Sequence, residues 1–259
     1  LKPDYADAYN NLGTVFQDQG KLERAIDAYN ASIAVKPWQS DVHYNIANVL
    51  VLQGRLSEAV KEYNDAIELN PKAANVYNNL GSTLLDLGSI DEAICSYEKA
   101  IAINSDLPGA YWNLSGTAKN IREAKKFLLN CLEVEPAHTE AKLTVAALDY
   151  YEGRKATFHS LVRSPISKHP YMRSFSWAFN LPNLPSLHFS RWTLFDRMMS
   201  LSKQDRPFYE FGVWRGEAFR YLIKTFKKGY GFDTFEGLPE DWDYIKAGTY
   251  SSEGNIPKI

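Results

Sequence analysis

Apolar and small residues recur along the first half of the chain with a period of 34 residues. Leu12, Ile46, Leu80 and Leu114 each stand directly before a small residue, at Gly13, Ala47, Gly81 and Ser115. A second small position falls at Ala25, Ala59 and Ala93, with Tyr29, Tyr63 and Tyr97 four residues later. Gly20, Gly54 and Gly88 lie between these groups, and Pro37 and Pro71 close the first two units. The pattern predicts a helix, a glycine turn and a second helix in each unit. Small residues let the two helices approach, and the leucines and tyrosines fill the space around them. The glycines end the first helix where positive φ is costly for other residues, and proline stops the second. One such pair cannot bury its apolar stripe alone; stacking on the next pair does so.

A register held at so many positions marks a solenoid, and it resembles the tetratricopeptide repeat over roughly residues 6 to 136. The resemblance implies a mostly α fold, a right-handed α-α superhelix of helix pairs. The reading gives four units over residues 1–137. Ser105 stands where a closing proline is usual in the third. The fourth is shortened: Ala124, Cys131 and Pro136 come three residues early, so its inter-helix turn is expected to have lost nearly one helical turn. Residues 138–163, with Ala141, Val145 and Leu148 on one face, read equally as a degenerate fifth repeat or as capping helices.

Asparagine is a mediocre helix former, yet Asn11, Asn45, Asn79 and Asn113 recur at the same place in four units. In the tetratricopeptide family the first helix of each pair lines the inside of the groove. Tyr44, Asn48, Asn78 and Trp112 share that face. A carboxamide carries both a donor and an acceptor, as does each peptide unit of an extended chain, so such a ladder can hold a peptide backbone with little regard to its side chains. Tyr44 and Trp112 add apolar contact. The arrangement resembles the asparagine ladder in the repeat domain of O-linked N-acetylglucosamine transferases, which implies a peptide or flexible protein segment as partner. Two other readings stand beside it: the amides bond the neighbouring helix pair, or duplication merely copied them.

After residue 163 the repeat ends. Residues 164–205 read as an aromatic and proline-rich connector with one helix, "FSRWTLFDRMMSL", whose Trp192, Leu194, Phe195 and Met198 or Met199 are expected to face a core. Over residues 206–259 the order is strand ("FYEFG"), glycine turn, helix, strand ("GYGFD") and acid, with Asp233 lying 21 residues beyond Gly212. That order suits a nucleoside-cofactor site in a doubly wound sheet. The glycines would allow a sharp turn and a close helix start, Asp233 would accept the ribose hydroxyls, and Glu210 would hold a polar ligand group. Trp214, between the glycines, leaves little space for a pyrophosphate, which favours S-adenosylmethionine.

"YEFGVWRG" followed by "FDTFEGLPED" resembles the macrocin O-methyltransferase family, class I S-adenosylmethionine-dependent enzymes with a Rossmann-like fold. The resemblance implies cofactor contacts at Glu210, Gly212, Gly216 and Asp233, with Trp214 and Arg215 in the loop beside the cofactor. It also implies Mg2+ ligands, a catalytic base and a small-molecule methyl-acceptor pocket in later segments. The chain supplies two strands where such a domain needs about seven, so the expectation is a truncated, inactive piece of a methyltransferase parent. No metal ligand is assigned within it, and catalytic residues stay unknown. The alternative is a non-catalytic scaffold with a vestigial α/β appendage.

Composition narrows little more. A net charge of -2 with 23% charged residues gives no support to a nucleic-acid or anionic-membrane binder. The opening "LKPDYADAYN" has no basic segment followed by an apolar one and reads as the interior of a longer chain. Cys95 and Cys131 make no disulfide framework and are expected as buried thiols in a reducing, cytoplasmic setting. An incomplete sheet would expose apolar surface, which suggests packing on the repeats or a homodimer.

Overall fold

A computed structural model of the chain describes residues 4–181, 186–189, 191–201, 208–211 and 229–232. It divides into two units, residues 1–190 and 191–259.

The first unit is a stack of antiparallel helix pairs: α1 (Asp4–Asp18) with α2 (Leu22–Val35), α3 (Ser40–Leu52) with α4 (Leu56–Leu69), and α5 (Ala74–Asp86) with α6 (Ile90–Ile103). There follow α7 (Pro108–Ser115) with α8 (Ile121–Val134), then α9 (Thr139–Tyr151) with α10 (Ala156–Val162). Gly20, Gly54, Gly88 and Gly153 hold φ of +71°, +74°, +83° and +94°. In each turn the glycine N–H returns to the carbonyl three residues back. The next N–H reaches five back, as from Lys21 to Phe16 (2.8 Å) and from Ser89 to Leu84 (2.9 Å). This double closure satisfies the last carbonyls of the first helix and needs the left-handed residue that glycine supplies.

Tyr29, Tyr63 and Tyr97 are buried against the preceding helix of their own pair. A Cβ added at Gly13 would lie 2.4 Å from the Tyr29 ring, and one at Gly81 would lie 2.7 Å from the Tyr97 ring. The small column is therefore the seat of the tyrosine column. Ile46, Leu80 and Leu114 are buried, whereas Leu12 of the first pair is 41% exposed.

In the fourth pair the shortening falls elsewhere than expected. α7 has eight residues where α5 has thirteen. The turn at residues 116–120 is longer than the one at residues 87–89. The first helix, not the turn, has lost length. Leu128 stands buried where the earlier pairs carry tyrosine, and Leu187 and Phe189 of the connector pack onto Ala118, Ala124, Leu128 and Cys131. Connector side chains thus cover the core that a longer α7 would have covered.

Past α10, a short 3-10 turn at Pro165–Lys168 leads into α11 (Pro170–Phe179), a helix where the sequence reading had an irregular connector. Its prolines misled: Pro170 sits at the first helical position, where its missing N–H is no loss. His169 caps the helix, its Nδ1 accepting from the Tyr171 N–H at 3.3 Å. Met172, Phe175 and Phe179 pack on Leu143, Ala147 and Phe158, and Phe179 stacks on Tyr150 with ring centroids 4.3 Å apart. On the other side of α9, Lys125 and Arg154 both bond Asp149 and Glu152. Partial burial works against ionisation of Asp149, but the hydrogen bonds from Lys125 and Arg154 outweigh it and hold the carboxyl below its ordinary range.

Of the two thiols expected inside, Cys131 is buried and Cys95 is exposed. Cys95 falls between Ala93 and Ser96 on α6 and misses the stripe formed by residues 93, 96, 97 and 100.

In the second unit, α12 (Arg191–Leu201) buries Trp192, with Phe195 and Met199 half-buried. Leu194 and Met198, expected on the same stripe, are 41% and 51% exposed. The actual stripe follows the three- and four-residue steps 192, 195 and 199. β1 (Phe208–Phe211) and β2 (Gly229–Phe232) pair in parallel, with Phe208 opposite Gly229 and Phe211 opposite Phe232. No helix among the described residues is long and apolar enough to cross a membrane.

Candidate peptide-binding site

The repeated asparagines join the first helices to one another. Asn45 on α3 donates through Nδ2 to Asn10 Oδ1 on α1 at 3.0 Å. Asn79 on α5 donates to the Tyr44 hydroxyl at 3.0 Å and to Asn48 Oδ1 at 3.2 Å, both on α3. Asn113 on α7 donates to Asn78 Oδ1 at 3.0 Å and to Ser82 Oγ at 3.2 Å, both on α5. Each amide reaches back to the preceding pair at the same two places, 35 and 31 residues earlier where both are made.

The buried tyrosines close the network from below. Tyr63 donates to Asn48 Oδ1 at 2.7 Å, and Tyr97 donates to Ser82 Oγ at 3.2 Å. Tyr29 and Thr14 are linked at 3.3 Å in the first pair. Burial of the ring, before any other influence, raises the Tyr97 phenol to about 12 and pushes Tyr63 and Tyr29 up as well. These hydroxyls are neutral bridges, not acids or bases of a reaction at ordinary pH.

Of the residues singled out in the sequence, Asn45, Asn79, Asn113, Tyr44, Asn48 and Asn78 lie together, half-buried, in this row. Asn11, in the first pair, is exposed and has no hydrogen-bond partner among the described residues. Trp112 is set apart from the amides: it stacks on His138 at 5.2 Å and tilts against Tyr171 of α11 at 6.2 Å, so α11 lies close to the row at its last described rung. Each linking amide uses one edge on its neighbour. The other edges of Asn45 and Asn113 make no hydrogen bond among the described residues, and they can serve an incoming peptide group.

Sequence reasoning places Ser82 on the asparagine face but not its bonds to Asn113 and Tyr97, and it missed Tyr63 and Tyr97 as members of the network. The signal was present, since Thr14, Asn48 and Ser82 keep the 34-residue spacing. A column of short polar side chains beneath the asparagines is what a bridge to a buried phenol requires. A depression of about 800 Å3 lies elsewhere, lined by Ser105, Tyr111, Asn130 and Glu133 among others, and takes in none of these amides. Among the cofactor candidates only Glu210 falls within a described element, β1; Gly212, Trp214, Arg215, Gly216 and Asp233 lie outside the described residues.

Models of the tetratricopeptide repeat match residues 6–38, 47–88 and 81–115. This part of the chain is a tetratricopeptide-repeat array. No curated protein matches the chain in sequence. Solved structures similar to it include YrrB, described as a TPR protein with an unusual peptide-binding site (17% identity, TM-score 0.52, covering 65% of this chain and 90% of YrrB). PilF of Pseudomonas aeruginosa gives 21% identity and a TM-score of 0.54, over 68% of this chain and 89% of its own. MamA from residue 41 to its end, from Desulfovibrio magneticus RS-1, gives 16% and 0.55, over 64% and 98%. At such identities these likenesses show the fold alone. They agree with a mostly helical tetratricopeptide superhelix.

Proposed function

We propose that the repeat array binds an extended peptide or flexible protein segment along the row of first helices. The observation that carries this reading is the amide row itself: carboxamides at a 34-residue spacing, each held by its donor edge on the preceding pair, with the acceptor edges of Asn45 and Asn113 open to a ligand. Fixing the amides before binding lowers the ordering cost of association. The description of YrrB as a peptide binder supports the choice of ligand class.

The test uses a peptide selected from a random displayed library against the whole chain, labelled and followed by fluorescence anisotropy. Asn45→Ala and Asn79→Ala together weaken binding by about tenfold or more, the scale of one or two lost polar contacts. Unchanged affinity, with helicity preserved, refutes the reading.

A second reading concerns residues 206–259. The parallel pairing of β1 with β2 supports it, because parallel neighbours require a crossover between them, as the sequence pattern proposes for residues 212–228. On this reading the segment is the cofactor-binding start of an S-adenosylmethionine-dependent methyltransferase, with Glu210, Gly212, Trp214, Arg215, Gly216 and Asp233 around the cofactor. Calorimetric titration with S-adenosylmethionine gives saturable heat that Asp233→Ala removes. A chain that gives no heat is a scaffold with an α/β appendage.

A further inference from the structure

In the second helix pair, three donor groups converge at a place where the other pairs carry none. His43 on α3 faces Glu62 on α4, with Nδ1 2.8 Å from Oε2. Asp65 stands one helical turn beyond Glu62 on the same face. One ligating atom from each of the three lies within 4.8 Å of the others.

The repeat itself supplies the comparison. The position of His43 is tyrosine in every other regular pair and in the fourth, at Tyr9, Tyr77 and Tyr111. The positions of Glu62 and Asp65 are Ala28 and Ala31 in the first pair, and Ser96 and Lys99 in the third. In the third pair the same place is closed by Lys99 lying 5.8 Å over the Tyr77 ring. Packing of a helix pair therefore does not call for an imidazole or a carboxylate here. Three departures from the repeat, on two helices, fall within reach of one point.

A simple ion pair does not account for all three. His43 and Glu62 satisfy each other, yet Asp65 has no hydrogen-bond or ion-pair partner among the described residues and places a second carboxylate beside the first. Two carboxylates so close repel; a cation between them offsets that repulsion. The donors sit on two helices already clamped by Ala59 and Tyr63, which are buried in the core of that pair. His43 and Glu62 are only 16% and 28% exposed while Asp65 is exposed, so the place opens to water on the Asp65 side.

We propose that His43, Glu62 and Asp65 bind one divalent transition-metal ion of the zinc class. One imidazole nitrogen and two carboxylate oxygens are a zinc donor set, and three protein ligands leave a position for water. The imidazole and the small number of oxygens argue against calcium or magnesium, which take oxygen cages or keep most of their water. Donor-to-donor spacing in a tetrahedral site is about 3.3 Å, from metal–ligand bonds of about 2.0–2.2 Å, so small rotations of the carboxylates complete the site.

The experiment titrates the whole 259-residue chain, freed of metal by chelator and with Cys95 alkylated, using Zn2+ by calorimetry and Co2+ by visible absorption. The native chain takes up one Zn2+ at stoichiometric concentration, and Co2+ gives the d–d bands of a nitrogen–oxygen site. His43→Tyr, which restores what the other pairs carry and keeps the helix pair folded, abolishes both signals. Glu62→Ser and Asp65→Lys, taken from the third pair, weaken binding by more than about tenfold, since removing a ligand costs at least as much as removing a group that orients one. Failure of the native chain to saturate, or equal affinity in His43→Tyr with unchanged helicity, overturns the proposal. Both outcomes are independent of peptide binding.

Discussion

The Asn79 amide of α5 donates to the Tyr44 hydroxyl of α3 at 3.0 Å, across the boundary between the second and third helix pairs. A residue with poor helix propensity is placed in mid-helix because its side chain spans from one pair to the next. Leucine or alanine there would favour the helix locally, leave the half-buried hydroxyl of Tyr44 without this donor and leave Asn48 Oδ1 with Tyr63 alone. Asn79→Ala is expected to lower stability by about 1–3 kcal/mol, the cost of orphaned polar groups. Asn11→Ala, at the same repeat position but exposed and without a hydrogen-bond partner among the described residues, is expected to change it by less than about 0.5 kcal/mol. Urea unfolding followed by far-ultraviolet circular dichroism compares the two. Equal effects would show that the position acts through the helix and not through its neighbour.

Gly81 tests the seat of the tyrosine column. An added Cβ meets the Tyr97 ring at 2.7 Å and the Ala93 carbonyl oxygen at 3.1 Å. Ala47 occupies the same position opposite Tyr63, so one methyl is tolerated when the helices part slightly. Gly81→Ala is expected to cost about 1 kcal/mol and Gly81→Val about 3 kcal/mol, the range for overpacking. Tyr97→Leu, the residue type found at Leu128 in the fourth pair, is expected to recover part of the Gly81→Val loss. Thermal unfolding of the single and double variants measures the coupling.

The buried phenols set a limit at high pH. Tyr97 ionises near 12 in the folded chain against an ordinary 10.0, chiefly because burial disfavours the phenolate. A pKa raised by folding means stability that is complete below the unfolded value. It is lost as pH climbs from about 10 through about 12. Tyr63 is shifted in the same direction by burial. Stability curves between pH 9 and 12 are expected to fall over this window, and Tyr97→Phe to flatten them. Ultraviolet absorbance of phenolate reports the delayed ionisation directly.

The two thiols differ in access. Cys95 is exposed, while Cys131 is buried, and burial pushes its thiol up to about 11. A disulfide reagent at neutral pH is expected to label one thiol per chain rapidly and the second only on unfolding. Cys95→Ser leaves the folded chain unreactive. Rapid labelling of both would mean that the core around Leu128 and Ala141 opens readily.

The glycine turns, the small-on-tyrosine packing and the position of the asparagines were legible in the sequence because each repeats at one spacing. A periodic constraint writes itself several times over. The three turns read there as Gly20, Gly54 and Gly88 have the positive φ that the pattern demands. The same regularity made the departures readable, such as the early Ala124 and Cys131, but not where the length was lost. That depends on how Leu187 and Phe189 cover the core of the fourth pair, a contact between segments with no periodic relation.

Residue spacing by itself determined the helix pairs, their turns and the face that carries the amides, since these follow from local geometry and a repeating apolar stripe. Tertiary structure decided what each amide bonds to, which of Cys95 and Cys131 is inside, and that the proline-rich stretch becomes α11. Those outcomes turn on which surface arrives from elsewhere in the chain. A side chain's partner is fixed by packing across pairs, and a sequence records only one side of that contact at a time.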